Sequence, residues 1–238
     1  RSYKFRNHRW EEDKGKSIRM TISKEMHAFY QKRVDEEMEK LVDLSPESEE
    51  YETKKKECNY LSKITNSLKR TQTKNNILRE AMEIFYDNMF EVSMDDNKYL
   101  MCFTNGVVDF KKKEFRNGRP DDYLTKCTGI PYVSLEQYEN DDEQVPIVNR
   151  VRAIMSELFP VKGIETYMWN HLASVLIGAK KVEAFNVYLG SGCNGKTVLM
   201  NLMAQCLGDY HVSAPMELIT GKRMSAGSTN SPLIQLKG

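Results

Sequence analysis

The chain has 238 residues, 40% hydrophobic and 29% charged, and its 35 Lys and Arg against 34 Asp and Glu leave a formal net charge of +1. That length holds one large or two modest domains with apolar cores. The near balance of charge excludes a uniformly basic nucleic-acid binder, so any such surface has to be a local patch. Five widely spaced cysteines, Cys58, Cys102, Cys127, Cys193 and Cys206, form no C-x-x-C pair and have no histidine pair nearby. This argues for a reducing compartment and against a zinc site. No apolar run approaches the roughly 20 residues that cross a bilayer, and the amino end lacks a signal-peptide core. The chain reads as soluble and intracellular, with no membrane partner, and its start at Arg1 and end at Gly238 read as those of a fragment.

In chain order, Tyr3 to Trp10 alternates aromatic and basic residues around Arg6-Asn7, which suits a short hairpin. Trp10 packs inward in one reading; in the other the segment stacks on single-stranded nucleic acid. From Ile18 to Leu44, Ile22, Met26, Phe29, Tyr30, Val34, Met38 and Leu41 recur at helical spacing, and Ser45-Pro46 ends the pattern. A polar helix follows from Glu47 to about Arg70, acidic at its start, with Tyr51, Cys58, Leu61, Ile64 and Leu68 on its core face. A third spans roughly Lys74 to Met89, with Ile77, Ala81, Ile84, Phe85 and Asn88 on one side, completing a helical layer.

The period then drops to two. Tyr99 to Phe103, Asn105-Gly106 and Val107 to Phe110 predict a hairpin, because Asn-Gly supplies the positive φ angles of a tight turn. Lys111, Lys112 and Lys113 form the next turn, leading to a third strand at Glu114-Phe115-Arg116. With Arg116 these lysines are the candidate nucleic-acid contacts, the alternative being an ordinary solvated turn. Glu139 to Glu143 reads as an acidic hinge before Pro146. Two helices follow, Ile147 to Phe159 and Ile164 to Ile177, with His171 read as a core or subunit-contact residue.

Gly190-Ser191-Gly192-Cys193-Asn194-Gly195-Lys196-Thr197 then satisfies G-x-x-x-x-G-K-[ST]. The motif requires a strand before it and a helix after it. Phe185 to Leu189 predicts the strand and Val198 to Leu207 the helix, ended by Gly208. In this context the amides of Gly190 to Val198 surround a phosphate chain at a helix amino end. Lys196 reaches the β and γ phosphates of ATP, and the Thr197 hydroxyl ligates Mg2+. Cys193 reads as a loop filler. His211 to Ser213 suggests a second strand, and Ile219 to Pro232 a loop rich in Gly, Ser and Thr.

Three stretches together carry a resemblance: Leu172 to Gly178, Val187 to Thr197, and Leu207-Gly208-Asp209-Tyr210. In that order they resemble superfamily 3 helicases of the viral primase-helicase type, found in large DNA viruses and phages. Asn194 ahead of Gly195-Lys196, the Phe103-to-Asp109 hairpin and the His8-Arg9-Trp10 opening are similar too. The resemblance implies a hexameric, ring-forming ATPase with an AAA+-like core that translocates on single-stranded or forked DNA and works with replication proteins. It also implies that the Walker B strand, sensor and arginine finger lie after Gly238, so hydrolysis is expected of the complete protein only. A host cytoplasmic or viral replication compartment would be its setting.

The resulting expectation is an α/β chain in three parts. A helix-rich α+β domain with a small hairpin sheet covers 1–140, a helical segment covers 147–180, and the front of a P-loop core covers 181–238. Two other classes stay open: a non-catalytic oligomerisation or DNA-binding module attached to a P-loop ATPase, and an unrelated P-loop kinase.

Overall fold

A computed structural model of the chain describes residues 1–179 and 184–216. By internal contacts it divides into two compact units, Arg1–Lys4 with Glu11–Asn88 and Phe5–Trp10 with Met89–Gly238. The acidic stretch at Glu139 to Glu143 therefore lies inside the second unit. Among the described residues no helix is long and apolar enough to cross a membrane.

The chain opens with a hairpin, β1 (Tyr3–Arg6) against β2 (Arg9–Glu12). Its turn sits one residue later than the sequence suggests. Asn7 and His8 both take positive φ, 49° and 65°, as the two central residues of a type I′ turn do. The first unit continues as α1 (Lys16–Thr21), a π-helical segment (Ile22–Met26) and α2 (His27–Val42). The wider turn adds a residue to the repeat and rotates the following face by about 100°. This accounts for a break in the expected apolar stripe: Ile22 and Val34 are buried, yet Phe29 is 59% exposed. α2 packs along α3 (Glu49–Leu68), which is capped by the Ser48 hydroxyl accepting from the Tyr51 N–H. α3 buries Cys58, Leu61 and Leu68. α4 (Thr71–Ile84) ends five residues before the expected limit at Met89, where Asp87-Asn88 follow as poor helix formers, and Ile84 and Phe85 are exposed instead of core.

The second unit begins with α5 (Phe90–Ser93) and a three-stranded antiparallel sheet of β3 (Leu100–Phe103), β4 (Gly106–Asp109) and β5 (Glu114–Arg116), in that order. The register pairs Met101 with Val108 and Val108 with Phe115. One face closes a core of Leu100, Cys102, Val107, Leu124 and Cys127. Burial first, and Cys127 beside it, push the Cys102 thiol up to about 12, so it is not a ready nucleophile. All five cysteines are free.

Trp10 settles into an aromatic cluster, edge-on to Phe5 at 5.5 Å and to Phe90 at 4.9 Å, and its Nε1–H donates to the Pro120 carbonyl at 2.8 Å. The inward-packing reading of the amino end is the one the structure supports.

Helices α6 (Leu135–Glu139), α7 (Val145–Leu158), α8 (Lys162–Val175) and α9 (Lys196–Leu207) complete the unit. Met155, Met168, Leu172 and Leu199 form a second core joining α7, α8 and α9. The strand expected at Phe185 to Leu189 is absent from the described residues, as is that at His211 to Ser213. A strand needs a hydrogen-bonded neighbour. Among the described residues none lies beside either segment, and Phe185, Val187 and Leu189 stand 65–87% exposed. The loop at Ile219 to Pro232 and the segment Leu233 to Gly238 lie outside the described residues.

An ion pair closes the far edge of the sheet. Arg116 donates to both Asp122 oxygens at 2.8 and 2.6 Å, and the Arg119 N–H adds a third bond at 2.8 Å. Burial raises the Asp122 pKa, but Arg116 and the Arg119 amide outweigh it and hold the carboxyl below its ordinary value. The folded pKa is thus the lower one, so the pair's contribution is complete above about pH 4 and is lost as pH falls through the folded value. Asp122→Ala is expected to cost about 2–3 kcal/mol at neutral pH and to flatten the loss of stability below about pH 4. Urea titrations at pH 7 and pH 3 check both effects.

Candidate functional site

The glycine loop runs into α9 through Gly195, which caps the helix in the left-handed region at φ 78° and ψ 0°. That conformation penalises any Cβ. A Cβ there would also overlap the Leu158 side chain at the end of α7. At Gly190 a Cβ would meet the Asn194 amide and lie 3.3 Å from the Lys196 ammonium, so the ends of those two side chains would have to shift to admit it. Gly192 has no neighbour within 4 Å of its Cβ position and no positive φ, so neither consideration fixes it as glycine. Cys193, at φ 57°, is exposed and turns the chain tightly, in keeping with a loop filler.

Lys196 folds back into this loop. Its Nζ donates to the carbonyls of Gly190 and Ser191, each at 3.0 Å, and to Asn194 Oδ1 at 2.6 Å. An ammonium has three N–H donors, and all are used. No side chain caps α9, so its leading amides at Lys196, Thr197 and Val198 keep the character of an uncapped helix amino end. The Thr197 hydroxyl belongs to the same turn. The structure thus brings Gly190 to Val198 together around the Lys196 ammonium, with Gly195 in a left-handed conformation at the amino end of α9. An ammonium beside an uncapped helix amino end is a donor set that suits an anion.

Two supports were not legible as site residues. Leu158 backs the loop from α7, as above. At the other end of α9, Gly208 takes φ 53° against the Thr128 backbone, and Asp209 Oδ2 accepts from the Cys127 N–H at 3.1 Å and Arg9 at 2.9 Å. Tyr210 Oη accepts from the Cys102 N–H at 3.0 Å and donates to the Lys126 carbonyl at 3.2 Å. Burial raises the pKa of this phenol, so it stays protonated and able to donate. Ahead of the loop, Tyr188 Oη lies 2.6 Å from His171 Nε2, so His171 ties the approach segment to α8.

Of the candidate nucleic-acid contacts, Lys111, Lys112 and Lys113 are exposed, whereas Arg116 is committed to Asp122. Arg116 is therefore removed from the basic cluster and assigned to the sheet edge.

The profile of the D5 N-terminal-like family, described as "D5 N terminal like", matches residues 1–171. The chain belongs to this family. The D5 N-terminal-like chain also has relatives in large DNA viruses. A protein of Acanthamoeba polyphaga mimivirus named a "putative helicase" is 33% identical over 240 residues, covering 99% of this chain and 24% of that protein. A "putative helicase" of Frog virus 3 is 25% identical, covering 75% of this chain and 24% of its own length. A "putative primase" of African swine fever virus is 27% identical over 76% of this chain and 19% of its own. The chain thus spans about a quarter or less of these relatives. The D5 N-terminal-like match ends before Gly190, so family membership and the loop are separate observations. The viral primase-helicase resemblance read from the loop and hairpin agrees with both.

Proposed function

We propose that this D5 N-terminal-like chain is the pre-helicase region and leading part of the ATPase core of a viral DNA replication primase-helicase, which hydrolyses ATP to unwind duplex DNA as a hexameric ring. The observation that carries the reading is the Gly195 turn, which brings a helix amino end and the Lys196 ammonium onto one loop. The names of the viral relatives support it at the level of the whole protein.

Gly192, Cys193, Asn194 and Gly195 would hold the phosphates through backbone N–H groups, with Ser191 and Val198 at the ends of the run. Lys196 would exchange its loop acceptors for the β and γ phosphate oxygens, and Thr197 would present its hydroxyl to Mg2+. Bound there, magnesium ATP supplies the transferable γ-phosphoryl group. Asn194 keeps the ammonium oriented until that exchange, at the short 2.6 Å contact described above. Lys196 would also be placed to neutralise charge developing on the phosphoryl oxygens. Leu158 holds Gly195 against α7, so the grip is positioned in advance of binding.

The test is ATP hydrolysis by the complete protein with and without single-stranded DNA. Stimulation by DNA supports the motor. Hydrolysis indifferent to DNA, or phosphoryl transfer to a small acceptor, would replace it with a P-loop kinase. Loss of rings on removing residues 1–140, with hydrolysis intact, would assign that part to assembly.

A further inference from the structure

The three-stranded sheet has two unlike faces. One closes the core around Cys102 and Val107. Alternation along the paired strands places Met101, Phe103, Gly106, Val108 and Phe115 on the other. Met101 at its centre is buried, but the rings around it are not: Phe115 is 41% exposed and Phe103 is half-buried.

A fourth segment completes this face. Tyr132 stacks on Phe115 at 4.7 Å with 24° between the planes, and meets Phe103 edge-on at 5.4 Å. Its position is fixed by its backbone. The Tyr132 N–H donates to Asn105 Oδ1 at 2.8 Å, and Asn105 Nδ2 donates back to the Tyr132 carbonyl at 2.9 Å. Asn105 is therefore both a turn residue and a clasp. Gly106 lets the Phe115 ring lie against the backbone, since a Cβ there would come within 2.6 Å of Phe115 Cζ. The outcome is a short stack of rings, rigidly held and open on its outer side.

The charge beside it is predominantly positive. The β4–β5 turn presents Lys111, Lys112 and Lys113, all exposed, with the Lys111 ammonium 4.4 Å from the centre of the Tyr99 ring. Two carboxylates share this turn, and both are engaged with it. Asp109 Oδ1 accepts from the Lys111 and Lys112 N–H groups inside the turn, at 2.9 and 3.1 Å. Glu114 belongs by register to the opposite face and lies 3.7 Å from the Lys112 ammonium. Open rings flanked by ammonium groups match a ligand with exposed π-faces on an anionic backbone. A duplex hides its base faces, and an apolar peptide has no use for the lysines.

We infer that this face is a stacking platform for single-stranded nucleic acid: the Phe115–Tyr132 stack takes a base as its next member, and Lys111, Lys112 and Lys113 take the adjoining phosphates. The inference rests on the DNA-binding part of the proposed function and is independent of the loop at Gly190 to Thr197.

The experiment measures anisotropy of a fluorescein-labelled oligothymidylate titrated with residues 1–238, without nucleotide, at several salt concentrations. The unmodified chain should bind the single strand in preference to a duplex of equal length. Phe115→Leu and Tyr132→Leu should each weaken binding about tenfold, the loss expected from removing one base–ring stack, with the salt slope unchanged. Lys112→Gln with Lys113→Gln should instead reduce the slope, by about 0.7 for each phosphate no longer neutralised. Ultraviolet crosslinking of a bromouracil strand to the unmodified chain should place adducts on Phe115 or Tyr132, which keeps the test decisive if a variant fails to fold. No binding by the unmodified chain, crosslinks confined to other residues, or a folded Phe115→Leu that binds normally would overturn the inference. So would Phe115→Leu dissolving a dimer while leaving strand binding intact, since a second copy would then be the occupant. Because no nucleotide is present, each of these failures leaves the ATPase reading untouched.

Discussion

In the complete protein, Lys196→Ala is expected to reduce ATP turnover by about 100-fold or more, the scale on which a positioned charge stabilises a transition state. The reason is local. The ammonium is held within the loop by Gly190 O, Ser191 O and Asn194 Oδ1. Alanine removes that charge while leaving the Gly195 turn and the α9 amides in place. Because the freed carbonyls lie in an exposed stretch where water replaces the lost donor, stability should change by less than about 0.5 kcal/mol. Steady-state phosphate release together with a urea midpoint separates the two effects. Turnover at the unmodified rate would remove the loop from the chemistry.

Gly195→Ala should act through structure. A left-handed alanine costs about 1–2 kcal/mol, and forcing its methyl against Leu158 adds about 1–3 kcal/mol of overpacking. The combined loss is roughly 2–5 kcal/mol, or else the loop swings off α7 and nucleotide binding goes with it. Gly192→Ala, with open space around it, should stay within about 0.5 kcal/mol. Adding Leu158→Ala to the Gly195→Ala variant tests the division, because it relieves the clash but not the φ penalty. A double-mutant cycle in urea should therefore show coupling between positions 158 and 195. Additive effects would mean the two side chains do not meet.

These residues also show what a sequence carries and what it does not. The hairpin and the helix starting at the glycine loop are legible from local patterning, but the turn is not the one Asn-Gly predicts: Thr104 and Asn105 form it, Gly106 already lies in β4, and neither Asn105 nor Gly106 takes a positive φ. The viral primase-helicase resemblance is legible on the same motifs. Everything depending on a distant partner is hidden. Nothing near Gly195 announces Leu158, and nothing near Arg9 announces Asp209. Arg116 reads as an available cation because Asp122 returns to it only through the turn at Pro120–Asp122. The strand expected at Phe185 to Leu189 fails for a related reason: β-propensity describes how a segment fits a sheet, and a neighbour has to be there. The π-helical turn at Ile22–Met26 has no comparable local signature, so an unbroken helical repeat assigns Phe29 to the wrong face of α2.

α9 is fastened at both ends. Its amino end is wedged by Leu158, while Gly208, Asp209 and Tyr210 bolt its carboxyl end to β3 and to the run at Lys126 to Thr128. A rod pinned at the far end cannot slide along its own axis. A push delivered at Gly195 would therefore be met by Leu158 at one end of α9 and, through Tyr210, by the small sheet at the other.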